Sequence, residues 1–545
     1  MVIGAGVCGA ITGWRLAKAG RKVLLLEAGP QTADRTQLVG AYAADVKHGS
    51  PYKDIGADIF APTEDTAPDG YYVAAGPRRF KSSYVRRVGG STWHFLGNTP
   101  RFLPADFELH RRYGVAVDWP LRYGDLETHY CTAERYLGVS GDHAEWDDPD
   151  LGPRSTPFPM SKIWESYSDR LVKRRLGSLT VEDRPIRLRT TPQARNSRPY
   201  DDRPACAGNS TCVPVCPIQA KYDATVHVKK ALSSGAELRE RSVVERLELT
   251  AGNSSVGRVH YLTWDGRRHS VRGRIVVLAA HAIESARILL QSGIGNTSDQ
   301  VGRNLMDHLQ GAVVALAPEP VYPFRGPPTT SGIDAFRDGA FRSEHGAFRL
   351  SLGNDGWGRS DRIEDRLKAM IEEQRLHGGS LRDAVEQRFT RMVRFSYSTE
   401  MRPESDNRVE LADATDGLGL PRPKISFAID DYSRGAFAHA KRVCTTIFGA
   451  LDAREIQPLL PDDDGAPEAD RFLGAGHISG TCRMGADPAS SVVDSFCRSH
   501  EYPNLFIIGS SVFPTEGTAN PTLTAVALTI RSLATIEESL MGAPS

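Results

Sequence analysis

The sequence predicts an α/β fold that begins with a buried parallel sheet. A short apolar strand at Val2-Ile3 runs directly into a glycine-rich turn, and Ala10 to Lys18 is compatible with a helix. The continuous apolar run that ends at Leu26 is typical of a parallel strand covered on both faces. Near the C-terminus the pattern returns to strand, loop and helix between Leu505 and Leu540. These alternations indicate an α/β fold with a Rossmann-type unit at its start.

The glycine-rich turn indicates a dinucleotide site. Residues 4–9 read GAGVCG, in which Gly4 allows the tight turn, Gly6 lets the backbone approach a pyrophosphate, and Gly9 permits close helix packing. The pyrophosphate would rest on the N-terminus of the following helix. Glu27 ends the second strand at the spacing of a ribose-binding acid. This acid disfavours NADP, whereas FAD and NAD remain open on this motif alone.

Composition restricts the class of protein. The 545 residues suggest two to four domains at roughly 100–200 residues each. Lys+Arg and Asp+Glu both total 67, so the net charge is zero, which argues against a nucleic-acid partner. The apolar runs fall far short of the ~20 residues of a membrane-spanning helix, so we expect no direct span.

The remaining elements are predicted in order along the chain. Residues 31 to 105 are rich in Gly, Pro and Tyr, and we expect loops and short strands there. Residues 361 to 391 are strongly charged and are typical of a solvated surface helix. The other expected helices lie near 125–136, 225–233, 283–291 and 522–540, and the other strands near 243–249, 259–264, 275–278 and 505–508.

The beginning of the chain shows neither a charged leader nor an apolar one, so no signal peptide is predicted. The first strand has about three residues, fewer than the usual five or six, which suggests a natural start further upstream, although a short strand remains possible. The eight cysteines are scattered apart from one cluster, which fits synthesis in a reducing compartment.

Several segments resemble the glucose–methanol–choline (GMC) flavoprotein oxidoreductases. They are VGGSTWH at 88–94, HISGTCRMG at 477–485 and NPTLT at 520–524. More narrowly, ARNSRPY at 194–200, VGRNLMDH at 301–308 and IDDY at 429–432 resemble the catalytic subunits of bacterial FAD-dependent glucose dehydrogenases. The likeness runs nearly end to end and is weakest from about 311 to 400.

The resemblance implies a discontinuous FAD-binding domain and a substrate domain. The first would comprise residues 1–310 and 476–545, and the second, built on an antiparallel sheet, residues 311–475. FAD would contact the positions Gly89, Gly90, Val244, Pro521 and Thr522 in addition to the glycine-rich turn. The chain departs from the family at 509–511, where it reads Gly-Ser-Ser and many members carry an Asp, which puts ribityl or pyrophosphate contacts there in doubt.

The same resemblance assigns the catalytic residues. His477 would be the base that removes the hydroxyl proton of an alcohol while a hydride leaves carbon for flavin N5; an imidazole suits this because its reference pKa is about 6.5. Asn520 would hold the same hydroxyl in line. His308 and His281 lack such a context and are interpreted as structural. His94 follows the Gly-Gly loop where some members bond histidine covalently to the flavin, or it packs beside the ring without a bond.

One cysteine cluster, Cys206, Cys212 and Cys216, has the spacing C-x5-C-x3-C and is followed by Pro217. Thiolates select iron–sulfur clusters or zinc, but zinc prefers a complete tetrahedral ligand set. A disulfide with one leftover thiol, or an incidental cluster, are the alternatives. The resemblance implies a [3Fe–4S] cluster held by these three thiolates, although relatives can carry a fourth, adjacent cysteine where this chain has Ala207. The other five cysteines are expected to be packed thiols.

The resemblance implies a dehydrogenase that oxidises the anomeric hydroxyl of glucose or another aldose to a lactone. Electrons would pass from FAD through the [3Fe–4S] cluster to a multi-haem cytochrome c subunit. A small helper subunit would assist maturation and could carry a twin-arginine signal, placing a chain folded in the cytoplasm in the periplasm or at the membrane. The alternatives are oxidation at another sugar hydroxyl such as carbon 3 of a glycoside, an oxygen-using oxidase, or an assembly subunit without activity.

Overall fold

Five short parallel strands form the sheet beneath the glycine-rich turn. The computed structural model describes residues 1–31, 34–45, 70–213, 215–355, 363–459, 467 and 471–542. In spatial order the strands are Leu505–Ile507, Val276–Leu278, Val2–Ile3, Leu24–Leu26 and Glu237–Arg239. All four pairings are parallel. Strands from both ends of the chain therefore share one sheet, and the predicted α/β class is confirmed.

Helices cover this sheet because the residues of its central strands are apolar and buried. Helix Val7–Lys18 packs against Thr225–Ser233 and against the C-terminal helix Thr522–Gly542. Helix His281–Ser292 buries eight of its residues, from Ala282 to Leu289, and packs against the strand Ser242–Leu249. A helix that is buried on almost every face belongs inside a layered α/β core.

An antiparallel sheet forms the second layer of strands. Its order is Arg454–Leu459, Leu309–Leu316, Met392–Thr399, Phe348–Leu352, Ser331–Ile333 and Leu188–Thr190, and Leu473–Gly474 pairs with the start of the second strand. Helix Asp431–Ala450 packs against four of these strands. The sheet takes residues from both sides of position 310, and the predicted domain boundaries remain predictions.

Smaller elements complete the described structure. Three strands, Ser242–Leu249, Val256–Thr263 and Arg268–Val271, form an antiparallel sheet. Another sheet contains Arg408–Thr415, Pro421–Ser426 and Val73–Ala74, and two strand pairs are Ser140–Gly141 with Met160–Ser161 and Thr180–Val181 with Arg184–Pro185. The remaining α-helices are Arg35–Asp45, Leu109–Tyr113, Tyr123–Leu137, His143–Trp146, Tyr167–Leu176, Ile363–Lys368 and Gly378–Phe389.

Two expectations about secondary structure were wrong. The segment expected to contain only loops and short strands includes the helix Arg35–Asp45, at whose start Asp34 Oδ1 accepts a hydrogen bond from the Thr36 amide at 2.8 Å. Leu38 of this helix packs with Trp93 and Val215, so tertiary burial stabilises a helix of weak amphipathicity. Residues 46–69 of that expectation lie outside the described structure.

The charged stretch predicted as one helix is two helices. Ile363–Lys368 continues into a π-helical turn at Ala369–Glu373, and the second helix begins at Gly378, whose positive φ of 51° interrupts the helical path. Residues 361 and 362 lie outside the described structure. Among the described helices, none is both long and apolar enough to cross a bilayer.

Candidate active site between the two sheets

A cavity of about 1110 Å³ lies between the parallel and the antiparallel sheets. We call the side formed by the glycine-rich turn, Glu27 and the Gly90 loop the cofactor wall. We call the face of the antiparallel sheet that carries Gln310, Arg349, Ser351, Arg394, Ser396 and Ser398 the substrate wall. Residues of both walls line the same cavity, so a cofactor and a small substrate can meet inside it.

Glu27 lies at the end of its strand with its carboxylate held by the backbone. Its Oε2 accepts the Ala5 amide at 2.8 Å and its Oε1 accepts the Gly29 amide at 3.0 Å. Burial raises the pKa of this carboxyl to about 7, although these hydrogen bonds act in the opposite direction. The side chain lines the cavity, where the free lone pairs of its oxygens can accept ribose hydroxyls.

The glycine-rich turn has the shape of a pyrophosphate cradle. A Cβ atom at Gly9 would lie 2.0 Å from the carbonyl oxygen of Gly4, so this glycine allows the helix to pack against the turn. A Cβ atom at Gly6 would meet no atom within 4 Å, although Gly6 lines the cavity and caps helix Val7–Lys18. The open space at a helix N-terminus is where an anion binds, and the residues present fit a dinucleotide.

The predicted flavin contacts lie along the same cavity. Gly90, Val244, Pro521 and Thr522 line it, together with His94. Gly89 lies behind the lining, with φ of 100° and an amide that donates to the Ala5 carbonyl at 3.0 Å. In the Gly-Ser-Ser segment, Ser510 also lines the cavity, and its hydroxyl donates to the Ile478 carbonyl at 2.7 Å.

His94 is half-buried at the cofactor wall. Its pKa is lowered to about 4 by burial and by the charges of Lys221 and Arg87. The imidazole is therefore neutral near pH 7, which is the form that either a covalent bond to the flavin or simple ring packing requires. Both interpretations of His94 remain predictions.

His477 and Asn520 lie together where the two walls meet. The side-chain nitrogen Nδ2 of Asn520 is 2.9 Å from Nε2 of His477, and both residues line the cavity. Nδ1 of His477 is 2.8 Å from Nδ1 of His308, and Nε2 of His308 is 2.9 Å from the Gly517 carbonyl oxygen. One chain of contacts therefore extends from the buried Gly517 carbonyl to the cavity.

This chain of contacts determines which ring nitrogens carry hydrogen. A carbonyl oxygen only accepts, so Nε2 of His308 must donate to Gly517, and Nδ1 of a neutral His308 is then an acceptor. Nδ1 of His477 must consequently donate to His308, which leaves Nε2 of His477 without a hydrogen. Burial, and for His477 also the neighbouring His308, lowers the pKa of His308 to about 4 and that of His477 well below its usual range. Both rings are neutral at pH 7.

The backbone around His477 is held by a buried carboxyl. Asp307 accepts the His477 amide at 2.7 Å and the Ala475 amide at 3.0 Å, and the hydroxyl of Ser82 also donates to it. Burial raises the pKa of Asp307 to about 6. Ser82 in turn accepts the Gly476 amide at 2.9 Å. Three successive amides are thereby fixed, and they orient the imidazole that follows them.

The interpretation of His308 as a structural residue was incomplete. Met306 forms an antiparallel bridge with Ser479, and this register places the residue two positions after Met306 opposite the residue two positions before Ser479. His308 and His477 therefore face each other although 169 positions separate them. A sequence signal did exist, since both histidines belong to segments that carry the family resemblance.

His281, also interpreted as structural, lies at the cavity. It is stacked on Tyr84 with ring centroids 4.4 Å apart, and burial lowers its pKa to about 4. It lines the cavity near Ala279 and Ala280, at the end of the strand Val276–Leu278. The carboxyl ends of parallel strands are where ligands of such sheets bind, and this placement could have been inferred from the sequence.

The substrate wall is formed by alternate residues of neighbouring strands. Ser398 lies opposite Gln310 on one side and Arg349 on the other, and Ser396 lies opposite Ser351. Because side chains alternate across a strand, Arg394, Ser396 and Ser398 share one face. Sequence reasoning did not place these residues in the site, because their alignment depends on strand register.

The cysteine loop lies outside the cavity lining. Cys212 and Cys216 are buried, and burial raises the pKa of Cys212, which the charges of Arg195 and Lys221 oppose. Cys206 accepts the Gly208 amide at 3.4 Å. Within the described residues no group of three His, Cys, Asp or Glu side chains is placed to hold a metal ion, so the predicted metal site is not confirmed.

A buried lysine connects the cysteine loop to the cofactor wall. Nζ of Lys221 donates to the carbonyls of Trp93 and Phe95, both at 2.8 Å, and to that of Thr92 at 3.1 Å. Burial lowers the pKa of Lys221 to about 8, and the neighbouring thiols Cys212 and Cys216 oppose this shift. The backbone on both sides of His94 is therefore anchored by a cation that also lies near the thiols.

Comparisons with known proteins agree with this architecture. The family models for GMC oxidoreductases match residues 189–310 and 403–529, and a model for an NAD(P)-binding Rossmann-like domain matches residues 2–69. The fructose dehydrogenase large subunit of Gluconobacter japonicus is 34% identical, over 98% of this chain and 96% of that protein. The 6'''-hydroxyparomomycin C oxidase of Streptomyces lividus is 29% identical, over 99% of this chain and 91% of that protein.

Solved structures show the same fold at lower identity. The pyridoxine 4-oxidase from Mesorbium loti superposes with a TM-score of 0.63 and 19% identity, over 98% of both chains. At this identity the likeness concerns the fold alone.

Proposed function

The chain belongs to the GMC oxidoreductase family, and on that premise we propose that it is an FAD-dependent dehydrogenase of a sugar hydroxyl. The observation that carries this proposal is the deprotonated Nε2 of His477, which faces the cavity between the two walls. A base within reach of a substrate hydroxyl is what alcohol oxidation requires from the protein.

The side chains at this point have separable tasks. In this structure the Asn520 amide donates to Nε2 of His477. With substrate bound, this amide would donate to the hydroxyl oxygen instead, and Nε2 of His477 would accept the hydroxyl proton. His308 keeps the proton of His477 on Nδ1, so the base stays in its active tautomer. Asp307 fixes the backbone that carries the imidazole. The substrate, enclosed between the two walls, would exclude water from the transfer.

The cofactor wall supports FAD as the electron acceptor. Glu27 would accept the ribose hydroxyls, the open space at Gly6 would receive the pyrophosphate, and the Gly90 loop with Pro521 would lie against the ring. Bound FAD supplies the two-electron acceptor that no side chain of the protein can replace.

A [3Fe–4S] cluster held by Cys206, Cys212 and Cys216 is the second part of the proposal. The three thiols are electrostatic neighbours, and all three are free cysteines. In an iron–sulfur cluster the cysteines bind different irons, so they lie further apart than the ligands of a single ion. Such a cluster would supply one-electron transfer to an external acceptor, for which we propose a c-type cytochrome subunit, with a small helper subunit and a periplasmic or membrane-associated location.

The substrate is proposed as a sugar, and three combinations of sugar and oxidised carbon are considered. The similarity to a fructose dehydrogenase subunit supports a sugar substrate. Oxidation of glucose at carbon 1 to the lactone is the first possibility, oxidation of fructose is the second, and oxidation of a glycoside at carbon 3 is the third. The relative named as an oxidase supports oxygen as an alternative acceptor.

The test is an anaerobic and an aerobic assay of the purified protein with glucose, fructose and a methyl glycoside. We expect one of these sugars to reduce dichlorophenolindophenol rapidly, with little peroxide in air, and the product to be identified by mass spectrometry and NMR. Iron analysis and the visible spectrum report the cluster and the flavin separately. Peroxide formation at the dye-coupled rate would support the oxidase instead, and a flavin that no sugar or alcohol reduces would overturn the proposal.

A further inference from the structure

We propose that Arg394 and Asp355 form a subsite for adjacent hydroxyl groups of an uncharged sugar, and that this pair discriminates against sugar acids. The inference deepens the proposed function, on which it rests, by naming the substrate class. Both residues line the cavity on the substrate wall side, and their side chains are 8% and 10% exposed. Neither residue belongs to a segment that carries the family resemblance.

Arg394 differs from the other arginine of the substrate wall in its free donors. The three nitrogens of the Arg349 guanidinium donate to Asp334 at 2.8 Å, to Ser351 at 3.1 Å and to Thr191 at 2.7 Å. Arg394 donates through Nη2 to Asp355 at 2.8 Å, and its Nε has no hydrogen-bond partner among the described residues. Arg349 is thus committed to the protein, whereas Arg394 keeps donors for a ligand.

The backbone leaves room for this guanidinium. A Cβ atom at Gly353 would lie 2.7 Å from Nη2 and 2.8 Å from Nε of Arg394. The Gly353 amide also donates to the Arg394 carbonyl at 2.9 Å, so the two strands are locked at this point. A side chain at position 353 would push the guanidinium from its place, so the glycine is what leaves room for Arg394 here.

Both arginines of the substrate wall form ion pairs. Arg394 lies 2.8 Å from Asp355, and Asp334 lies 2.8 Å from Arg349 and 3.5 Å from Arg337. Lys81 also lines the cavity, and its ammonium donates to the Phe472 carbonyl at 3.2 Å. A substrate carboxylate at the Arg394 site would lie beside the Asp355 carboxylate, and like charges in a poorly hydrated pocket repel strongly.

A paired guanidinium and carboxylate match the chemistry of a diol. Each sugar hydroxyl both donates and accepts a hydrogen bond, so one hydroxyl can accept from Arg394 while its neighbour donates to Asp355. Ser396 and Ser398, two and four positions along the same strand face, continue the polar surface toward Gln310. Together with Arg394 and Asp355, this surface can bind several hydroxyls of one sugar ring.

The experiment compares the charge-neutral and charge-unbalanced forms of the pair in the flavin-loaded enzyme. Two values of kcat/KM are measured anaerobically with dichlorophenolindophenol, one for the best neutral sugar and one for gluconate. Their ratio is the readout. The wild type should favour the neutral sugar, and Asp355→Asn should shift the ratio toward gluconate by roughly tenfold or more, because it leaves an unpaired cation. Arg394→Gln should raise KM for the neutral sugar by about ten- to a hundredfold with little change in flavin content.

Asp383→Asn is the matched control, since this aspartate forms an exposed ion pair with Arg382 on a surface helix. It should leave the ratio unchanged. A wild-type preference for gluconate, or an Asp355→Asn variant that keeps the wild-type ratio, overturns the subsite. Failure of every sugar to reduce the flavin would instead overturn the proposed function, so the two failures are distinguishable.

Discussion

The two walls of the cavity are built in different ways. The cofactor wall is mostly backbone: amides around Glu27, an open glycine at position 6 and a left-handed Gly90. The substrate wall is mostly side chains that project from three antiparallel strands, such as Arg349, Arg394 and Ser396. The first wall would bind FAD largely through peptide groups, whereas the second can change its ligand by substitution of single side chains.

This difference indicates which wall tolerates amino-acid substitution. A wall made of backbone depends on glycines whose replacement moves the chain itself, and a side chain added there competes directly with the cofactor. A wall made of side chains on a rigid sheet keeps its shape when one residue changes. His477 and His308 lie where the walls meet. Variants at these positions should therefore change the rate of the reaction more than the binding of FAD.

The largest effect is expected at the base. His477→Ala should lower kcat/KM for the sugar by about 10²–10⁴-fold, because proton removal is then left to water. The flavin spectrum and the FAD content should stay close to those of the wild type, since the imidazole lies at the boundary of the cofactor wall. Equal turnover of wild type and variant in anaerobic stopped-flow reduction would remove His477 from the mechanism.

The next largest effect is expected from filling the open space at Gly6 in the cofactor wall. Gly6→Ala adds a methyl group that meets no protein atom within 4 Å, so the melting temperature of the apoprotein should barely change. The same methyl group would occupy pyrophosphate space, and overpacking of about 1–3 kcal/mol corresponds to a roughly 5- to 150-fold weaker binding of FAD. Isothermal titration calorimetry of the apoprotein with FAD measures this affinity. An unchanged affinity would contradict the proposal that the pyrophosphate occupies the open space at Gly6.

A smaller effect is expected at the residue that sets the tautomer. His308→Ala removes the acceptor for Nδ1 of His477 and should lower kcat by about tenfold or more, whereas His308→Gln, which can supply an acceptor oxygen, should recover part of the loss. His308 also lowers the pKa of His477, so both variants should move the acid limb of kcat/KM to higher pH. A purely structural residue would lower the melting temperature without moving that limb.

The smallest effect is the pH dependence of cofactor binding. The pKa of Glu27 is raised to about 7 by burial, so its carboxyl gains a proton as the pH falls through 7 and accepts ribose hydroxyls less well. Affinity for FAD should therefore decrease with falling pH by at most about tenfold per unit. Glu27→Gln, which does not titrate, should bind FAD more weakly above pH 7 and show a flat profile, measured by fluorescence titration.

Local patterns predicted one wall well and the other hardly at all. The glycines at 4, 6 and 9 and the acid at 27 lie within one strand–turn–helix–strand unit, so their spacing carries the geometry. The row Gln310, Ser398 and Arg349 comes from three strands whose pairing depends on long-range register. The cysteines were identified as a cluster, but their spacing did not fix how the loop folds around them.

From the sequence alone came the α/β class, the dinucleotide turn, the family resemblance and the choice of His477 and Asn520, because short segments with few allowed conformations encode them. The tertiary structure decided which nitrogen of His477 carries no hydrogen, since the bridge between Met306 and Ser479 brings His308 to the other ring nitrogen. It also decided that the Asp355 carboxylate lies beside the Arg394 guanidinium. Proton positions and net charge depend on neighbours that are far apart in the chain, and only folding brings those neighbours into contact.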